Sequence, residues 1–151
     1  MLYNKGTVFS KGKFLRFIVA LIGLIFIFHS VALYYFLYWR IPWLDNLMHF
    51  LGGAWLVFAA AWFVFYSQKA ESIRLPIPVF LLAAVSFAAL VGVGWELFEF
   101  CVDFLTGGGA GAGFNQAGLR DTMGDLFFDL LGGLIAGLVF IVNFKKYESK
   151  N

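Results

Sequence analysis

Charge is scarce in this chain. Asp, Glu, Lys and Arg make up only 13% of its 151 residues, against 62% hydrophobic and 21% aromatic residues, and the mean hydropathy is +0.84. A water-soluble domain of ordinary composition is excluded. The formal net charge of +2 is too small to point to nucleic acid as a partner. Cysteine is nearly missing: Cys101 alone can close no internal disulfide. Proline is limited to Pro42, Pro76 and Pro78, at the borders of apolar runs. The strict two-residue alternation of membrane barrel strands is also missing. No internal repeat, serine–histidine or cysteine–histidine nucleophile pair, phosphate-binding strand–loop–helix motif, haem signature or dinucleotide signature stands out.

What is present is long apolar sequence. Four runs reach the roughly 20 residues that a helix needs to cross hydrocarbon: about 14–39, 43–67, 75–105 and 121–144. Continuous apolar runs favour helices, whose backbone groups are satisfied within the segment. The connections are short: Arg40-Ile41-Pro42, a polar stretch over Gln68–Arg74, and a glycine-rich stretch over Thr106–Gly118. The expected fold is all-α, a polytopic membrane protein with four antiparallel transmembrane helices in an up-down bundle, forming a single domain over 1–151. The lysine-rich start and "HSVA" imitate a secretory signal, but the first run continues through Leu33–Trp39 as a full span ending in aromatic residues.

The basic residues set the orientation. With the N-terminus inside, Lys5, Lys11, Lys13, Arg16, Lys69, Arg74, Lys145, Lys146 and Lys150 fall inside, and only Arg40 and Arg120 fall outside. Both termini are expected to be cytoplasmic. On that topology Glu71 and Glu148 lie inside, while Asp45, Glu96, Glu99, Asp103, Asp121, Asp125 and Asp129 gather at the outer ends of the second, third and fourth spans. Residues three or four apart share a helix face. Asp45/His49, Glu96/Glu99/Asp103 and Asp121/Asp125/Asp129 each follow that spacing. The same faces continue into Gly52/Gly53, Gly92 with Ala88/Ala89, and Gly132/Gly133 with Gly137, small residues that let membrane helices approach closely. The acidic stripes are expected to turn inward.

Seven carboxylates in a medium of low dielectric need protons, water or cations. Carboxylates with an imidazole suit zinc, manganese or iron, and all-oxygen ligation suits magnesium or calcium. The expected ligands of a divalent metal ion are His49, Asp45, Glu96, Glu99, Asp125 and Asp129. Other roles stand beside this one. Asp121 suits a helix cap, Asp45 a first-turn acid, and Asp103 a solvated place at the interface. His49, Glu96, Glu99, Asp125 and Asp129 are too deep for capping, and ionisable residues at membrane depth mark functional sites. His29 reads as a bundle-facing, hydrogen-bonding histidine. The loop TGGGAGAGFNQAGLRD offers Asn115, Gln116 and Arg120 as a substrate-binding set, with glycine amides and Arg120 suited to an anion; a simple flexible connection accounts for the same composition.

Three blocks, LDNLMHFLGGAWL, GWELFEF and LRDTMGDLFFDLLGGLIAGL, are similar in order and content to the polar motifs of VanZ-like membrane proteins. They also resemble a related YjdF-type group of small bacterial inner-membrane proteins. The resemblance covers roughly 40–140, and by position Asp45, His49, Glu96, Arg120, Asp125 and Asp129 match the motif residues. It implies a small multi-pass helical protein of the bacterial cell envelope; VanZ itself is associated with teicoplanin resistance. Glu99 and Asp129 stand where the VanZ-like pattern tends to have glutamine and asparagine, which brings the chain nearer the YjdF-type group.

Three functions fit these features. A metal held at the extracytoplasmic leaflet acts on a lipid-linked phosphate or headgroup, with Glu96, Asp125 and Arg120 as catalytic groups and membrane lipids as partners. Alternatively, the pocket binds or transports a divalent cation or small polar solute without chemistry. In the third, the carboxylates stay protonated and hold the helices together. The near-complete lack of polar residues in the cytoplasmic half weighs against a conducting path.

Overall fold

The computed structural model describes residues 11–67, 75–107 and 118–148. Its helices are α1 (Lys11–Tyr34), a single-turn α2 (Leu37–Arg40), α3 (Leu44–Trp62), α4 (Ile77–Thr106) and α5 (Leu119–Glu148), with a π-helical turn, Phe63–Ser67, extending α3. Four spans are long and apolar enough to cross a membrane: Lys11–Tyr34, Leu44–Tyr66, Ile77–Thr106 and Leu119–Asn143. The chain is an all-α polytopic membrane protein.

Local chemistry sets the ends of these helices. Pro76 caps α4 and Pro78 falls in its first turn, where a missing N–H removes no intrahelical bond. Gly107 ends α4 in a left-handed conformation (φ 84°), and its N–H bonds to the Asp103 carbonyl. The first span departs from the expectation of one helix reaching Trp39. Phe36 takes φ 56° and ψ 38°, and the turn closes through Tyr35 N–H to Val31 O (3.0 Å) and Phe36 N–H to Leu33 O (3.1 Å). A left-handed residue cannot continue a right-handed helix. The chain restarts as α2, which brings the Tyr38 hydroxyl to 2.7 Å from His29 Nδ1.

Side-chain pairings give the register of the bundle. Trp55 Nε1–H donates to Ile18 O (3.0 Å) and Trp62 Nε1–H to Lys11 O (3.3 Å), so α1 and α3 run in opposite directions. His49 lies beside Glu96 and Phe65 beside Phe80, which makes α3 and α4 antiparallel. Asp129 meets Gly53, Val57 meets Gly137, and Phe65 stacks on Phe140; α3 and α5 are therefore parallel. This is the up-down order.

The α3–α5 contact is the most extensive in the bundle. It depends on glycine, because a Cβ on Gly53 would run into the Asp129 carbonyl and one on Gly132 into the Phe50 carbonyl. The two backbones touch, as small residues permit within a membrane. Along the bundle axis the interior then changes in kind. One end is filled by Phe14, Ile18, Phe65, Tyr66, Phe80 and Phe140 with their neighbours. A waist of Val57, Ala84, Ala88 and Ala136 follows. Beyond it lie the buried polar side chains His49, Glu96, Asp103, Asp125 and Asp129.

Candidate functional site

Three helices deliver the polar groups to one end of the bundle. Asp45 and His49 stand one turn apart near the start of α3, Asp121, Asp125 and Asp129 climb one face of α5 from its start, and Glu96, Glu99 and Asp103 occupy the last turns of α4. His49 is the centre. Its Nδ1 lies 3.1 Å from Asp129 Oδ2, the arrangement in which Nδ1–H donates to the carboxylate. Nε2 is 3.8 Å from Glu96 Oε1 and 4.0 Å from Asp45 Oδ1. Those separations are too long for hydrogen bonds. They leave room for an atom in between.

Asp125 closes the group from α5. Asp45, His49 and Asp125 each offer a ligand atom, all within 4.8 Å of one another. Metal–ligand bonds of about 2.0–2.2 Å put neighbouring ligand atoms about 3–3.5 Å apart, so a contraction of roughly 1 Å would bring the three onto one ion. Burial at the site is deep: Asp125 is 2% exposed, Asp129 4%, Glu96 5% and His49 7%. Among the described residues Asp125 Oδ1 has no hydrogen-bond partner. A buried polar atom left in that state costs about 1–3 kcal/mol, and more when charged. Asp129 fits beside His49 because Gly92 has no side chain: a Cβ there would strike its carboxylate.

The remaining expected residues sit around this core. Glu99 is half-buried and accepts a hydrogen bond from Trp95 Nε1–H (2.9 Å). Asp121 is half-buried in the first turn of α5. Arg120 lies exposed beside it and makes no ion pair among the described residues. Asn115 and Gln116 lie outside the described residues. Asp103 corrects one expectation, since it is buried rather than solvated (2% exposed). Its spacing explains why: two turns beyond Glu96, it shares the inward face of α4, which continues past it to Thr106. His29 is half-buried and bonded to Tyr38, as its place in α1 suggested.

Tyr38 is a residue that sequence reasoning missed. Its phenol is pushed above the ordinary tyrosine value by burial, and then by the Asp45 and Glu99 carboxylates nearby. Its hydroxyl is bonded to His29 Nδ1, and the phenol lies near enough to the Asp45 and Glu99 carboxylates to feel their charge. Its nine-residue separation from His29 carries no helical signal, because the left-handed break at Phe36 makes the pairing. Trp95 was legible in principle, as an i,i+4 partner of Glu99.

This arrangement suits a divalent cation. Mixed oxygen and nitrogen donors converge from three helices, one carboxylate orients the imidazole, and Asp125 keeps a buried acceptor atom without a hydrogen-bond partner among the described residues. Comparison with known proteins bears on the fold rather than the chemistry. A family model described as "Predicted membrane protein (DUF2238)" matches residues 7–146. No curated protein and no solved structure matches the chain.

Proposed function

The chain belongs to that family of predicted membrane proteins, and from this premise we propose that it holds a divalent metal ion at one face of the bilayer and acts there on a lipid-linked phosphate or headgroup. Asp125 carries this reading: its Oδ1 is buried without a hydrogen-bond partner among the described residues, and its carboxylate offers an oxygen within 4.8 Å of ligand atoms on Asp45 and His49. Asp45, His49 through Nε2, and Asp125 are the ligands, with Glu96 and Glu99 at the margin. Asp129 holds Nδ1–H, which fixes the ring with Nε2 available, as carboxylates behind metal-bound histidines do. A metal bound here supplies Lewis-acid polarisation of a phosphoryl oxygen and acidifies bound water. Glu96 accepts a proton, and Arg120, with Asn115 and Gln116, attracts the anionic group.

The positive-inside distribution supports cytoplasmic termini, and so a site on the extracytoplasmic leaflet of the bacterial inner membrane. The likeness to VanZ-like and YjdF-type proteins supports an envelope role. Binding of a cation or small polar solute without turnover is the second reading. It is favoured over transport by the packed aromatic cluster that fills the opposite end of the bundle.

Elemental analysis of the detergent-purified protein tests the proposal, beside a double variant Glu96→Gln/Asp125→Asn. The expected result is a transition metal in stoichiometric amount in the parent and none in the variant. Hydrolysis of lipid phosphates by the parent alone then separates an enzyme from a binding protein. A parent that neither carries metal nor takes up added zinc, manganese or iron defeats the reading.

A further inference from the structure

A cavity of about 360 Å³ opens on the side of the bundle between α4 and α5, lined by Val93, Glu96, Leu97, Phe100, Thr122 and Leu126. Its walls are almost wholly apolar, although Glu96 contributes to them. A small polar solute has little to bind there. Val93, Leu97 and Phe100 are exposed within a membrane-spanning segment, so the medium that meets this groove is bilayer hydrocarbon. From Val93 to Phe100 the groove runs about 10 Å along α4 at 1.5 Å per residue. Thr122, in the first turns of α5, marks its end nearest the membrane boundary.

Glu96 joins the groove to the polar site. It lines the groove, yet its Oε1 lies 3.8 Å from His49 Nε2 on the other side, and the residue is 5% exposed. One side chain thus separates a hydrocarbon-facing groove from the His49–Asp125 cluster. A molecule serving both compartments must be an amphiphile aligned with the bilayer: its chain lies against Val93, Leu97 and Leu126, and its polar group sits near Thr122 and the carboxylates.

We propose that the α4–α5 groove seats the hydrocarbon chain of a membrane lipid and presents that lipid's headgroup to the acidic site from within the plane of the bilayer. The proposal rests on the reading of the site as one that engages lipid headgroups. It adds the route of access and requires a substrate with a long apolar chain.

The test uses the full chain reconstituted in phosphatidylglycerol vesicles containing a phosphatidylglycerol with a mid-chain diazirine. After photolysis the labelled residues are mapped by mass spectrometry. Severalfold stronger labelling of Leu97, Phe100 and Leu126 than of Phe26 and Ile27, which are at least as exposed on α1, is the expected outcome. Leu97→Trp fills the groove from an already exposed position and should abolish the excess at Phe100 and Leu126 while metal content stays at the parental level. Equal labelling of the groove and of α1 overturns the proposal, and so does an excess that survives Leu97→Trp. A metal-free parent that still labels preferentially in the groove overturns the metal reading alone and leaves the groove as a lipid seat.

Discussion

His49 presents two nitrogens to two different environments, and that asymmetry gives separable consequences for its neighbours. Asp129 touches Nδ1, whereas Asp45 and Glu96 face Nε2. Asp125→Asn should therefore abolish metal binding. Asp129→Asn should preserve the stoichiometry at saturating metal and weaken affinity by about 10–100-fold, the usual effect of losing a carboxylate behind a metal-bound histidine. Calorimetric titration with zinc or manganese distinguishes the two. Gly92→Ala should resemble Asp129→Asn although it alters no polar atom, because its Cβ displaces the Asp129 carboxylate. Tyr38 gives a pH effect of definite sign. Its folded value lies above the unfolded one, so its contribution to stability is complete below about pH 10, the ordinary tyrosine value, and is lost as pH rises beyond it. Tyr38→Phe should flatten that alkaline slope in unfolding measurements across pH 9–11.5, relative to the parent.

The helices were the most legible feature of the sequence and their breaks the least. Hydropathy and spacing set four spans and the inward faces of α3, α4 and α5, since both follow from helical period and from the cost of exposing backbone to lipid. The stop at Tyr34 was not legible. Residues 34–39 hold no proline, glycine or charge to signal a break, and the left-handed Phe36 leaves no mark in hydropathy. Asp103 shows two signals in conflict: its place near a helix end suggested water, while its spacing from Glu96 and Glu99 put it inside, and the spacing prevailed. The joining of His49 to Asp125, across 76 positions of chain, follows from the parallel α3–α5 contact and from no local pattern. That contact predicts its own sensitivity. Gly53→Ala and Gly132→Ala should each destabilise the protein by about 1–3 kcal/mol, as overpacking does. Gly52→Ala, next to Gly53 but with open space around it, should not. Thermal unfolding in detergent measures all three.

Taken as a whole, the molecule is polarised along the bundle axis, from aromatic packing through a small-residue waist to buried acids. Such a one-sided interior suits chemistry at a membrane surface better than passage through it. The proposed orientation has a direct check in a Cys101→Ala background. A cysteine introduced at the exposed Leu119 should react with an impermeant thiol reagent applied to intact cells, and one at Lys11 only after permeabilisation. The reverse pattern would put the acids on the cytoplasmic leaflet.

The parallel course of α3 and α5 also shapes the field at the polar end. The N-termini of α3 and α5 meet there, each equivalent to about half a positive charge, and the C-termini of α1 and α4 bring about half a negative charge each. The backbone therefore supplies the acids with no net positive potential, only a local one at the starts of α3 and α5. That local field fades within the first turn, so it reaches Asp45 and Asp121 at the rim and leaves Asp125 and Asp129 largely without it. The unmet demand for positive charge is concentrated in the deeper layer, beside His49, where the gap between the ligand atoms lies.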